Sequence, residues 1–463
     1  MTHKDRAQSD STHKDSGQND SIQKASITVA SATAIGVGGM MGAGLYTLVG
    51  LAATTAGVWI PVAFLVGGLV SLFSVYSYAK LGARFPSRGG AAQFLIRCFG
   101  DGVIAGGLNI FQFLGWIIAM ALYASGFAGY ARHLLPFDTP DWSGKVIGVG
   151  LVIVLIGVNA VGSKLVGRSE MFVVAIEVAI LVAFVIAASF KSDPSNFQQS
   201  GGEGVIGIFF AAGLLYVTYE GFGVVTNSAG DMKNPAKELP RAMYQALFIV
   251  IVIYVVISSL IVMVMTLPDI EANQGHVLSD AGRAVLGQVG FIVIGAAALL
   301  ATASGVNATL FGDANLAFTV AKSGEMPADF ARGVWRSGTW GLLMAGALTC
   351  AFVVFFPLSS VGQMASLAFL IVYGAVSVGH LRVRHQTGAK AWLLIAAVTL
   401  NLALFCLLLG YAIHTGPAST WITLIVVLIA SFVAEIVYRR VTHRSLRLEA
   451  APASGDAGAA TAS

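Results

Sequence analysis

Two acidic residues interrupt long apolar stretches of this sequence. Glu177 lies within MFVVAIEVAILVAFVI, and Glu220 lies within LLYVTYEGFGVV. An ionisable side chain at that depth in an apolar segment is costly, and by default it marks a functional position. Such a carboxyl can load and release a proton or hold a cation. The plain alternative for each is a protonated, hydrogen-bonded group that helps neighbouring helices pack. Glu170 precedes Glu177 by seven residues, which puts the two on one helical face. A third polar stretch, ATASGVNATLFGDANLAF at 301–318, carries Thr302, Ser304, Asn307, Thr309, Asp313 and Asn315. Those groups can hydrogen-bond across helices or face a water-filled path. Asp313 reads as hydrated, towards the end of its segment.

These acids must be positioned by elements that break. The stretch ATAIGVGGMMGAGLYT at 32–47 has glycine at 36, 38, 39, 42 and 44. Each glycine in a helix interior costs about 0.5–1 kcal/mol relative to alanine, so five in so short a run argue for an interruption. Broken backbone at bilayer depth is tolerated only where it is buried in protein or lines a cavity. Gly38 and Gly42 would also serve close helix packing through small residues four apart. A second segment, GIFFAAGLLYVTYEGFGVVTNSAG, has glycine at 207, 213, 221 and 223, just around Thr218, Tyr219 and Glu220.

The apolar background is strong. Hydrophobic residues make up 56% of the 463 and charged residues only 11%, with a mean hydropathy of +0.79. This composition excludes a soluble globular domain and indicates an all-α polytopic membrane protein. Apolar runs of spanning length fall at about 28–50, 58–81, 102–132, 146–163, 169–190, 205–228, 242–267, 286–320, 340–357, 363–381, 391–413 and 420–438, giving twelve transmembrane helices, here called spans 1 to 12. Of the 27 Lys and Arg residues, 23 then fall on the side of the termini. Only Arg132, Lys145, Lys191 and Arg283 fall on the other. By the positive-inside rule both termini are cytoplasmic.

Residues 1–26 are polar, with the near-repeat THKDRAQSD and THKDSGQND, and read as a disordered tail rather than a signal peptide. The apolar, membrane-spanning region covers 27–440, and 441–463 is expected to form a second cytoplasmic tail. The connection at 78–100 reads as a basic turn around Pro86 and Gly89-Gly90, and 231–243 as another cytoplasmic turn. The external stretch 268–285 is long enough for a short capping element, in which His276 reads as solvated. Trp116 and Tyr123 in span 3 share a face, and Glu435 is expected to pair with Arg439 four residues on. The cysteines, Cys98, Cys350 and Cys406, have no paired spacing. No Walker motif, HExxH or clustered Cys/His site is present, so neither an enzyme nor a cofactor is expected.

Broken spans 1 and 6 point to an inverted five-plus-five repeat with its site at the breaks, over about 27–190 and 203–382, followed by spans 11 and 12 at about 391–438. In order, the motifs GGMMGAGLY, YAKLGARFPSRGG with the later FG, YEGFG, KNPAKELPRA and AKSGEMP resemble the amino acid–polyamine–organocation (APC) superfamily of permeases across about residues 26–440. The resemblance implies a leucine-transporter-like fold and secondary active transport of an amino acid or related amine at the plasma (inner) membrane. No nucleic-acid partner is implied.

The resemblance also implies site residues. Backbone N–H groups around Gly42, Ala43 and Gly44 would bind the substrate carboxylate, in keeping with the anion preference of a helix N-terminus. Carbonyls near Met40, Val217 and Thr218 would take its ammonium, and Tyr219, Glu220, Gly221 and Trp116 would meet the rest. Glu177, Ser304 and Glu220 would serve coupling. Proton symport is the first expectation, substrate exchange the second and sodium coupling the third; a sensor that binds without transporting is the remaining alternative. Three positions depart from the family pattern: Glu177 stands where proton-coupled relatives often carry lysine, Ala92 replaces an aromatic, and Asn315 replaces an arginine.

Overall fold

A chain this apolar must satisfy its backbone groups within itself, and the helix does so inside one segment. The computed structural model describes residues 27–41, 44–87, 90–137, 139–161, 164–322, 328–335 and 338–442. Both tails therefore lie outside the described residues, apart from 441–442, and so do Gly42, Ala43 and residues 323–327 of the AKSGEMP motif.

In chain order the helices are α1 (Val29–Met41), α2 (Gly44–Ala56), α3 (Ile60–Arg84), α4 (Gly90–Phe99), α5 (Val103–Leu134), α6 (Trp142–Val161), α7 (Lys164–Ser189), α8 (Gly204–Leu215), α9 (Phe222–Val225), α10 (Pro235–Val264), α11 (Leu267–Ala272), α12 (Val277–Lys322), α13 (Trp340–Phe355), α14 (Leu358–Thr387), α15 (Ala391–Thr415) and α16 (Ala418–Thr442). Among the described residues, ten helical stretches are long and apolar enough to cross a membrane, while α1 and α13 are shorter and also apolar. The protein is a multi-pass membrane protein.

The bundle is organised around α5, which packs on α6, α12, α14 and α16, while α10 packs on α1 and α3. Large apolar side chains such as Phe172, Phe190, Phe248 and Val289 stay exposed on the outside, as expected where the surrounding solvent is lipid.

Three local features differ from the sequence expectation, and the external stretch holds the short element expected there. The basic connection after α3 contains a ten-residue helix, α4, whose apolar residues Phe94, Leu95 and Cys98 are buried. The segment read as a turn at 231–243 is largely the start of α10, with Pro235 in its first turn, where the missing N–H costs nothing. The external stretch holds α11 and the first turns of α12, which departs from helical geometry at Gly287 (φ 64, ψ −148). A short antiparallel pair, β1 (Gly333–Trp335) and β2 (Gly338–Thr339), follows α12.

The first expected interruption falls at residues 42–43, between α1 and α2 and outside the described residues. The second is a tightening: α8 ends at Leu215 and the chain continues as a 3-10 turn over Tyr216–Tyr219 before α9. There Glu220 N donates to Val217 O at 3.2 Å and Gly223 N to Glu220 O at 2.9 Å. This three-residue bonding alters which backbone groups remain for outside partners.

Candidate functional site

α1 and α2 both touch the tightened segment after α8. A Cβ added at Gly221 would sit 2.3 Å from Gly39 C and 2.4 Å from Met40 N, and one at Gly44 would sit 2.5 Å from Thr218 Cβ. Glycine therefore serves close packing here, one of the two readings of the sequence. α7 joins the same crossing: Val174 lies 2.5 Å from where a Gly38 Cβ would be, one turn before Glu177.

Side chains from distant segments complete the backbone bonding around the crossing. The Tyr254 hydroxyl donates to Met40 O at 2.6 Å and stands 3.3 Å from Thr218 O. Ser366 Oγ accepts from Val217 N at 3.2 Å and donates to Leu214 O at 2.5 Å. The Tyr219 hydroxyl donates to Phe64 O at 2.7 Å, and the Tyr373 hydroxyl to Glu220 O at 2.9 Å. The carbonyls of Met40 and Thr218, expected to face a substrate ammonium, thus have a protein hydroxyl beside them. Each carbonyl oxygen keeps a second lone pair.

The two acids are buried in different ways. Glu220 is 1% exposed; one carboxyl oxygen accepts from the Tyr123 hydroxyl at 2.6 Å and the other has no hydrogen-bond partner. Glu177 is 2% exposed and has the Tyr46 hydroxyl as its near polar neighbour. The geometry between them falls short of an ordinary hydrogen bond, since Glu177 Oε1 and Tyr46 OH both lack a partner. An isolated buried carboxylate is expensive, so a proton or a cation is what such a group takes.

Beside the crossing lies a cavity with about 820 Å³ of space between atoms, part of it open to solvent. Its wall is built from Gly38 and Gly39 of α1, Gly223, Val224 and Asn227 after the second interruption, Gln112 and Trp116 of α5, a strip of α12 from Ser304 to Leu316, Tyr78, Ala91 and Tyr373. Of the expected site residues, Trp116 and Ser304 are on this wall. Met40, Val217, Thr218, Tyr219 and Glu220 are buried behind it, because the contact between Gly39 and Gly221 leaves no room between the interrupted segments. Ser304 faces the cavity and Glu177 does not line it, so the wall does not join them in one cation site.

Asp313 is 2% exposed and lines the cavity, and among the described residues neither of its carboxyl oxygens has a hydrogen-bond partner. Tyr78, Asn227 and Tyr373 are polar wall residues that the sequence did not single out. The polar strip on α12 divides between both of its expected uses. Asn307 accepts from Asn159 Nδ2 at 2.7 Å across to α6, and Thr302 donates to Ala298 O within its own helix. Ser304, Thr309 and Asp313 face the cavity, while Asn315 is exposed. Away from the site, Arg439 donates to Glu435 Oε1 at 2.8 Å, as expected, and also pairs with Asp101.

Comparison with known proteins agrees with this architecture. A family model described as Amino acid permease matches residues 27–434. The inner membrane transport protein YbaT of Escherichia coli is 31% identical over 409 residues, covering 88% of this chain and 94% of the relative. An uncharacterized protein of Methanocaldococcus jannaschii is 32% identical over 427 residues, covering 90% and 96%. The branched-chain amino acid permease BcaP of Lactococcus lactis is 26% identical over 395 residues, covering 78% and 82%. With a matched region that spans α1 to α9 and the whole cavity wall, the chain belongs to the amino acid permease family of the APC superfamily.

Proposed function

We propose that this chain carries an amino acid or a related amine across the plasma membrane by alternating access, with a proton as the coupled ion. The observation that carries the reading is the cavity beside the crossing of α1 with the tightened segment after α8. On the far side of the crossing from that cavity, Tyr130 donates to Tyr46 O at 3.0 Å. The Gln274 backbone there fills the space beside Gly50.

In this reading α1 and α2 together make span 1, α8 and α9 make span 6, and α13 counts as a span. That gives twelve spans with a five-plus-five repeat. The basic residues then put both termini in the cytoplasm, so the cavity belongs to an inward-facing or closed state. The N-terminal end of α2, at Gly44, offers a substrate carboxylate backbone N–H groups and the positive end of a helix dipole. Trp116 and Tyr373 give the side chain a wall, and Asp313 gives an amine or a proton a place on the way through. Glu177 takes up and releases the coupled proton. Glu220, held by Tyr123, acts on which side chains are accepted.

The test is a thermal-unfolding screen of the purified protein against single amino acids and common amines, because a ligand bound only by the folded state stabilises it by mass action. A ligand that stabilises the native chain but not Trp116→Ala supports the site. A screen in which Trp116→Ala responds as the native chain does would move the site elsewhere.

A further inference from the structure

Far from the cavity, on the side opposite the chain termini, three side chains of ligating type converge from two distant parts of the sequence. His133 is in the last turn of α5. His276 precedes α12, and Asp280 is in its first turn. His133 Nε2 is 3.0 Å from Asp280 Oδ1, and His276 Nδ1 is 2.7 Å from Asp280 Oδ2. The two imidazoles are stacked, with centroids 3.4 Å apart and planes 13° from parallel. One donor atom from each residue falls within 4.8 Å of the others. The side chains are partly exposed, at 25%, 21% and 14%, and His133 and His276 line an outer groove.

We propose that His133, His276 and Asp280 form a binding site for a first-row transition-metal dication, zinc by preference, that clamps the outer segment 273–286 onto α5.

Two imidazole nitrogens and one carboxylate oxygen are a donor set for zinc and its neighbours, whereas magnesium and calcium take oxygen donors. A tetrahedral zinc with bonds of about 2.0–2.1 Å holds neighbouring donor atoms roughly 3.3 Å apart. Admitting it opens the two nitrogen–oxygen separations by about 0.3 and 0.6 Å and turns one imidazole out of the stack, because a metal lies near the plane of each ring that ligates it. The groove leaves the fourth position to water. Two cations border the site. Arg132 is already committed, donating to Thr139 and pairing with Asp141 at 3.3 Å. Arg283 stands 4.0 Å from Asp280 Oδ1, but its guanidinium lies 3.9 Å over the Phe291 ring and its side chain is half exposed, so it can turn away as the metal arrives.

The mechanical consequence follows from what the same segments touch. Gln274 O and Cα lie 2.4 and 2.5 Å from where a Gly50 Cβ would be, which places the loop before His276 against α2. Tyr130, one turn before His133, is bonded to Tyr46 of α2. A metal on the three ligands joins α5 to a loop already seated on α2, and opening the outer side requires these parts to separate. This step, in which bound metal arrests transport with the outer side shut, rests on the transport reading; the metal site does not.

The test titrates the purified full-length chain with zinc, nickel or magnesium chloride alone, followed by calorimetry. Zinc and nickel are expected to bind one ion per chain and magnesium not at all. His133→Gln and Asp280→Asn are each expected to weaken zinc by more than about tenfold. Absence of zinc binding, or unchanged affinity in both variants, overturns the site. In proteoliposomes, zinc on the outer face should inhibit amino-acid uptake by the native chain, reversibly with a chelator, and spare His133→Gln. Zinc that binds without inhibiting overturns the clamp. Uptake that is absent even without metal removes the transport reading and leaves the titration to decide the site.

Discussion

Replacing Gly221 by alanine places one methyl group where the two interrupted helices meet. Its Cβ would lie 2.3 Å from Gly39 C, 2.4 Å from Met40 N and 2.7 Å from Gly39 O. Carbon atoms in good contact are about 3.5–4.0 Å apart, so the segments must separate by roughly 1 Å. All three neighbours are backbone, which cannot turn aside as a side chain end can. Overpacking of this kind costs about 1–3 kcal/mol, offset by up to about 1 kcal/mol because alanine is the better helix former. A net loss of about 1–2 kcal/mol in the closed arrangement corresponds to a five- to thirty-fold weaker apparent affinity. The assay is substrate counterflow in proteoliposomes, with thermal unfolding alongside to show that the variant folds. Gly157→Ala is the matched control: it is inside α6, and nothing lies within 4 Å of its added Cβ. Gly57 would be a poor control, since its φ is 58° and Gly201 O is 2.5 Å from its Cβ position. Native half-saturation in Gly221→Ala, matching Gly157→Ala, would refute the claim that the crossing of these helices sets the site.

Tyr123→Phe removes the only hydrogen bond shown to the Glu220 carboxyl and leaves both of its oxygens without a partner. It should cost about 1–3 kcal/mol of stability, read by thermal unfolding, and change the affinity ranking among amino acids. Gly44→Leu should abolish amino-acid binding while the protein still inserts and purifies, because Thr218 Cβ already lies 2.5 Å from the first carbon of any side chain there; normal binding by this variant would move the carboxylate site. Cys98 lies in α4, outside the spans, where burial pushes its thiol up to about 12 against the opposing charge of Arg382. The thiolate is the reactive form, and at neutral pH fewer than about one such thiol in ten thousand is ionised. Maleimide should therefore leave Cys98 unlabelled in the folded protein and modify it after unfolding; rapid labelling of folded protein at neutral pH would contradict that burial.

The spans were legible because lipid imposes one requirement on every segment, a closed backbone in an apolar coat, and apolar runs report it directly. The irregularity after α8 was legible because glycine is costly in a helix without a reason. What the residues gave was its position, not its form. Around Tyr216 the chain tightens to a 3-10 turn instead of unwinding, since hydroxyls of Ser366, Tyr254 and Tyr373 from later helices supply bonds that local sequence cannot announce. The same limit explains Asp313, whose environment is set by α5 and the turn after α9, and His276, whose partner His133 is 143 positions away. Period and composition describe one segment at a time; these groups are defined by which segments meet. The helix α4 was missed for a different reason: its ten residues carry basic neighbours and a Gly-Gly pair that read locally as a turn.

Glu177 bears on the central claim most directly, since it is buried and its Oε1 has no hydrogen-bond partner among the described residues. The decisive measurement is accumulation of a labelled amino acid, one that stabilises the purified chain, by proteoliposomes with an inward pH gradient. The native chain should concentrate it above the outside level and lose the excess when the gradient is collapsed. Glu177→Gln, close in shape and hydrogen-bonding capacity, should bind the same ligand and exchange it across the membrane without concentrating it. Unchanged gradient-driven accumulation by Glu177→Gln would contradict the account.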